Sequence, residues 1–314
     1  MKRFYYSAAI LILLACAGCS LSNLYDDVDD TIRSVSFVIK PLTIVDGDEV
    51  SPTTRTTIQD GDNNFYWTPN DTVGIYPDSG SQVYFNLELS GSATTANFDG
   101  GGWAFKTGSN YYSYYPFIGN IYLKRDEIPV SYIGQEQTGT TDFSHIGPFD
   151  FMYTEPTSGD SGSLHFVYNR LGCFLRFRLV LPTGTYTKLA ITTPGHESFI
   201  TKGYYDLTSS SPAIIEKTSS EQLSMNLKSI SSNGSSEIIV YMMAAPTDLR
   251  ETGFVVSVLD SNRQEFQCAK TTSKVFEANT IYKFGCTSWT AVPQSMGLII
   301  DDWGDGGNIG GNAN

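Results

Sequence analysis

Apolar and polar residues alternate with a period of two through most of this chain. Val35, Phe37 and Ile39 share one face of a segment whose other face carries Ser34, Ser36 and Lys40. Val83, Phe85, Leu87 and Leu89 repeat the pattern against Tyr84, Asn86 and Glu88. Leu175, Phe177, Leu179 and Leu181 do so against Arg176 and Arg178, and Ile238, Val240, Met242 and Phe254, Val256, Val258 extend it. Successive side chains of a strand point to opposite faces, so each run predicts a strand with one buried face. Turn-forming stretches at 78–81, 158–163 and 231–236 separate the runs. No stretch keeps a helical stripe. The pattern predicts an all-β chain with strands stacked as sandwiches. Ser34 to Val45 reads as one strand. The Gly- and Ser-rich turn from Thr157 to Ser163 is the expected divide between an N-terminal sandwich, 34–160, and a C-terminal one, 161–303.

The first residues follow different rules. Lys2 and Arg3 precede a short apolar run, Ala8 to Ala15, and small residues lead to Cys19. This is the layout of a lipoprotein signal peptide, 1–18, with Cys19 as the lipidated residue. The run is too short to span a bilayer as a helix. Cys16 is the alternative, because Leu13 stands three residues before it. A lipid on either cysteine would anchor the chain to an outer membrane. Residues 19–33, with Asp26, Asp27, Asp29 and Asp30, read as an acidic tether, and the Gly- and Asn-rich 304–314 as a flexible tail.

Composition narrows the function. The chain carries 20 basic and 33 acidic residues, a net charge of −13. That excludes a nucleic-acid partner, which needs a basic face. Beyond the signal, the cysteines are Cys173, Cys268 and Cys286. An odd number rules out a fully paired disulfide framework; reduced buried thiols and a single Cys268–Cys286 bridge both fit.

Catalytic and metal chemistry find little support. His145, His165 and His196 are far apart and lack partners at metal-ligand spacing. Gly159, Asp160, Ser161 and Gly162 match a short protease string, yet Ser163 follows and nothing else builds a triad. Asp60, Asp62 and Asn64 begin a calcium-loop spacing, but Phe65 stands where the loop needs glycine. Asp301, Asp302 and Asp305 form a second acidic group. No catalysis, cofactor or metal is expected. The aromatic run from Tyr111 to Phe117 reads mainly as core, with stacking on sugars as the alternative.

A set of landmarks in fixed order resembles the fimbrillin family, the lipoprotein subunits of type V surface fimbriae. Thr54, Arg55 and Thr56 come first, then Trp67, Asn70, Asp71 and Gly74, Ile75, Tyr76. Trp103, the Tyr112 to Pro116 run, Ile128 with Pro129, Gln135 and Gln137, and Phe151 to Tyr153 follow. Phe166 to Leu171, Gly203 to Asp206, Tyr282 and Asp302 with Trp303 complete the set. The resemblance implies two tandem transthyretin-like β-sandwich domains and a structural role in fimbria assembly or adhesion. It implies that a protease cuts after an arginine and removes the first strand, and that a neighbouring subunit's terminal strand fills the groove by β-strand addition.

Arg55, among small polar residues, is the candidate processing site, with Arg33 as the alternative. Val35, Phe37 and Ile39 would mark the displaced strand. After Trp303 the one large apolar residue is Ile309, so Leu298, Ile299, Ile300 and Trp303 form the candidate donor strand. The expected partners are other fimbrial subunits, the outer membrane through a lipid, and surface receptors or glycans. The expected place is the cell surface, or a fimbrium after processing. The alternative function is a surface glycan-binding lipoprotein of a polysaccharide-uptake system.

Overall fold

The fold was obtained as a computed structural model that describes residues 31–46, 65–69, 71–99, 105–119, 123–140, 143–159, 162–196, 198–270 and 275–293. Cys16, Cys19, Arg55, the Asp60 and Asp301 groups and Leu298 to Trp303 lie outside them.

The described chain is nearly all β. Its strands run β1 (Ser34–Ile39), β2 (Thr43–Asp46), β3 (Thr72–Pro77), β4 (Val83–Asn86), β5 (Thr95–Asp99) and β6 (Asn110–Tyr115). Next come β7 (Ile128–Ser131), β8 (Glu136–Thr138), one 3₁₀ turn at Ser144–Phe149, β9 (Met152–Thr154), β10 (Thr157–Ser158) and β11 (Ser163–Arg170). Then follow β12 (Cys173–Val180), β13 (Gly184–Thr192), β14 (Phe199–Tyr205), β15 (Ile215–Ser220), β16 (Gln222–Ser232) and β17 (Glu237–Ala244). The last are β18 (Thr247–Asp248), β19 (Phe254–Asp260), β20 (Glu265–Lys270), β21 (Val275–Phe276), β22 (Thr280–Cys286) and β23 (Thr290–Ala291).

Among the described residues these strands form five sheets. The largest has the order β4-β3-β6-β9-β11-β1-β5, with β10 added against β6. A second runs β17-β12-β22-β2, and a third β23-β20-β19-β13-β16-β8. Two small sheets, β15-β14-β7 and β18-β21, complete the set. Pairing crosses the Thr157–Ser163 turn in both directions. β11 joins β1 and β9, while β7 and β8 pair with β14 and β16.

The alternating runs form the core. Leu175, Phe177, Leu179, Val240, Met242, Val256 and Val258 are fully buried. Tyr111, Tyr114 and Tyr115 are buried too, so the aromatic run serves the core. Gly74 faces Tyr114 across β3 and β6, and a Cβ there would meet the Tyr114 ring at 2.0 Å. Only glycine admits that ring. Cys173, Cys268 and Cys286 are free and buried.

Two glutamines connect sheets. Gln135 and Gln137, beside and within β8, are fully buried and reach the edge of β17. Gln135 donates to Met243 O at 2.8 Å and accepts from Met243 N at 2.7 Å. Gln137 donates to Ile239 O at 2.8 Å and accepts from Tyr241 N at 3.0 Å. Each side-chain amide thus imitates a strand peptide and satisfies an edge that would otherwise be open.

The segment from Ser34 to Val45 is not one strand, as the pattern suggested, but two strands in two sheets. β1 lies in the largest sheet, and β2 runs parallel to β22 in the second. The break falls at Lys40 and Pro41. Proline lacks a backbone N–H and disfavours continuation of a paired strand. Its neighbours then fix the crossing. Arg170 Nη1 donates to Lys40 O at 2.7 Å and to Asn279 Oδ1 at 3.3 Å. Asn279 Nδ2 donates to Pro41 O at 3.1 Å, and Thr43 N donates to Asn279 O at 3.0 Å. Asn279 adopts φ +55°, a left-handed conformation that asparagine tolerates better than most residues.

Arg170 is itself held by Asp150, at 3.0 and 3.1 Å from its Nε, and lies over the Phe65 ring at 4.4 Å. Burial pushes the Asp150 carboxyl up and the Arg170 guanidinium down, while their mutual attraction opposes both shifts. The pair therefore matters for orientation more than for net stability. Asp150→Ala, which strands a buried cation, should lower the unfolding free energy by about 3–5 kcal/mol. The double variant Asp150→Leu with Arg170→Met should recover at least half of the loss. Urea denaturation of the three proteins checks this, and equal losses for both variants would refute the assignment.

Candidate functional site

The first strand is enclosed on both sides. β1 pairs in parallel with β11, placing Val35 beside Leu164, Phe37 beside Phe166 and Ile39 beside Tyr168. Its other edge pairs antiparallel with β5, with Phe37 opposite Ala96. β1 is thus an interior strand formed from the start of the chain, and its ladder partner β11 begins 129 residues later.

Side chains reinforce the ladder. Val35 and Phe37 are buried to within one per cent, and Ile39 is 7% exposed. Phe37 stacks on Phe166 at 5.5 Å between ring centroids and contacts Phe85 at 5.0 Å and Phe98 at 6.0 Å. On the opposite face, Ser34 Oγ and Ser163 Oγ are 2.7 Å apart, and Ser36 Oγ is hydrogen-bonded to His165 Nδ1. Lys40 Nζ donates to Asn169 Oδ1 at 2.6 Å. One face is held by rings and the other by exchangeable polar contacts.

Trp67 adds a contact that the alternation does not foretell. Its indole N–H donates to Phe37 O at 3.0 Å, and its ring meets Tyr115 at 5.3 Å and Tyr168 at 5.2 Å, edge to face in both cases. The landmark order singled out Trp67 without giving it a role. Its role is to fasten the middle of β1 from outside the sheet. Arg170 falls within the Phe166 to Leu171 landmark, but residue order assigned neither it nor Asn279 the role of holding the crossing to β2, because the groups they hold there are the distant backbone carbonyls of Lys40 and Pro41.

Arg33 is exposed just before β1, and its backbone N–H donates to Gly162 O at 2.7 Å. The structure brings Val35, Phe37 and Ile39 together on the core face. Arg55 and the Leu298 to Trp303 stretch fall outside the described residues.

Other candidate chemistry disperses. His145 Nε2 lies 3.0 Å from Tyr241 O, and His165 faces Ser36. Among the described residues no group of three His, Cys, Asp or Glu side chains is placed to hold a metal ion. Tyr112 is half-buried beneath Arg125, 5.3 Å from its ring. Tyr111, Tyr114 and Tyr115 of the same run are buried. No helix of the described residues is long and apolar enough to cross a membrane.

Comparisons with known proteins complete the picture. The family described as fimbrillin-like matches residues 54–303. No curated protein matches the chain. Solved structures similar to it include a protein from Bacteroides ovatus with a proposed role in cell adhesion. It is 13% identical, with 83% of this chain and 96% of that one covered and a TM-score of 0.48. A counterpart from Bacteroides uniformis is 14% identical, with 72% and 91% covered and a TM-score of 0.46. The tip fimbrial protein Mfa3 from Porphyromonas gingivalis, with a C-terminal truncation, is 8% identical, with 75% and 81% covered and a TM-score of 0.34. The family match spans most of the chain and agrees with the all-β fold and the landmark order: the chain belongs to the fimbrillin-like family.

Proposed function

We propose that this chain is a surface lipoprotein that becomes a structural, tip or accessory subunit of a fimbria by donor-strand exchange. The observation that carries the reading is the enclosure of β1. An interior strand made from the leading part of the chain would suit replacement by a strand of another molecule. Its removal would separate β5 from β11, leave both edges unpaired and empty the sites of Val35, Phe37 and Ile39.

In this reading Cys19, or Cys16, carries the lipid that holds the precursor at the outer membrane. Cleavage after Arg55 releases lipid, tether, β1 and β2 together. Cleavage after Arg33 would free the lipid and retain both strands. The family match begins at Thr54 and leaves β1 and β2 outside it, which supports an exchangeable leading segment. An incoming donor, with Leu298, Ile299, Ile300 and Trp303 as the candidate side chains, would restore alternate apolar positions on the core face. The partners are other subunits and a surface receptor, and the role involves no catalysis.

Two measurements test this. Limited trypsin digestion of the folded protein should cut first at Arg55 and shift it toward larger species in size-exclusion chromatography. A cut there without assembly, or a resistant Arg55, would count against the exchange. Phe37→Ala should destabilise the uncut protein by about 3–5 kcal/mol, whereas Ser36→Ala should change it by less than about 1 kcal/mol. After digestion, the Phe37→Ala protein should also release its leading fragment faster. Equal release rates would show that ring packing does not retain the strand.

A further inference from the structure

Beside the 3₁₀ turn lies a cavity of about 530 Å³, within the range of small-ligand sites. It is walled mainly by rings and aliphatic groups from four parts of the chain. Trp67 and Tyr115 are buried in its wall, Phe117 is half-buried, and Ile146 comes from the 3₁₀ turn. Ser144 is an exposed lining residue.

The lining contains two carboxylates and no lysine or arginine. Asp150 is matched by Arg170 and contributes little net charge. Asp71 is different. Its Oδ1 accepts from Tyr115 OH at 3.0 Å and its Oδ2 from Thr68 N at 2.7 Å. These donors orient the carboxylate but leave its charge uncompensated, and no cationic side chain pairs with it among the described residues. Each oxygen keeps a free lone pair. Burial and the nearby Asp71 push the Tyr115 phenol well above its ordinary value, so Tyr115 remains a donor at neutral pH. Asp71 is half-buried, so a ligand can reach it.

We propose that this cavity binds an organic cation on an apolar body, with its ammonium or guanidinium group at Asp71 and its body among Trp67, Tyr115 and Phe117. The charge sets the choice. An anion would face an uncompensated carboxylate. A neutral apolar ligand would leave the Asp71 charge uncompensated. A cation gains a charge-assisted hydrogen bond and the attraction of nearby ring faces. The same chemistry is offered by a free amine and by a basic side chain of another polypeptide. Ile39 of β1 also lines the cavity, but Asp71, Tyr115 and the 3₁₀ turn, which carry the inference, lie outside β1 and β2, and the test uses the uncut full chain, so the inference does not rest on strand exchange.

The full chain should be titrated with phenethylammonium and with phenethyl alcohol, its neutral counterpart, by chemical-shift or calorimetric detection. The cation should bind saturably at one site, at least tenfold more tightly than the alcohol. Asp71→Asn should reduce that preference to less than threefold, while thermal unfolding confirms that the variant is folded. Ser144→Trp, which places bulk on an exposed lining position, should weaken both ligands. Acetyl-Gly-Arg-Gly-amide, against the Gln version, distinguishes the sources. Preferential binding of the Arg peptide points to a partner's side chain, and binding of phenethylammonium alone points to a free small molecule. Equal affinity for cation and alcohol in the unaltered chain, no saturable binding of any probe, or full cation preference in Asp71→Asn would overturn the proposal.

Discussion

Phe37 lies among the rings of Phe85, Phe98 and Phe166 while its carbonyl accepts the indole N–H of Trp67. Its backbone pairs toward β11 on one side and β5 on the other. One residue near the start of the chain therefore ties together a strand at the edge, a strand in the middle and a tryptophan outside the sheet. Removing a fully buried phenylalanine leaves a cavity that neighbours fill only in part. Removing the whole strand is costlier still, because the backbone groups of two other strands lose their partners. The largest sheet depends on that enclosure. The proposed exchange would draw on the same dependence, since an open groove would attract any strand that restores the pairing.

The leading segment is shared by two sheets. After Lys40 and Pro41 it leaves β11 and joins β22, and Arg170 and Asn279 hold the carbonyls exposed by the turn. The Asp150–Arg170 pair behind this crossing is kept at the expense of two desolvated charges. What it provides is direction, because a guanidinium fixed on its Nε by a carboxylate can aim Nη1 at one carbonyl. Gln135 and Gln137 solve a similar problem without charge. Their amides supply paired donor and acceptor groups to β17 where, among the described residues, no further strand pairs with it.

Much of the fold is legible in residue order because strand alternation is local. Leu175 to Leu181, Ile238 to Met242 and Phe254 to Val258 place their apolar faces inward as their period requires. The leading strand was legible through Val35, Phe37 and Ile39, and its break was not. A proline within an apolar run weakens a strand but does not reveal that the chain will enter a second sheet. Trp67, Gln135 and Gln137 stood out only as spaced landmarks. Their roles emerge from carbonyls and amides far away in the chain, which no side-chain pattern encodes. The Arg170–Asn279 clamp was hidden for the same reason.

The sequence by itself determined that the chain is built of strands, most of the apolar faces that enter the core, and which family it belongs to. These follow from side-chain period and landmark order, both properties of neighbouring or ordered residues. The sequence did not show that Val83 stays exposed or that Arg176 and Tyr241 are buried on the opposite faces. Only the tertiary structure decided which strands meet. β1 lies against β11, β2 against β22, and β7 and β8 against β14 and β16. Every backbone offers the same donors and acceptors, so hydrogen bonding alone does not select a partner. Selection comes from the fit of side-chain volumes across the whole core, and from polar groups such as Arg170 and Gln137 that reach backbone carbonyls of other segments.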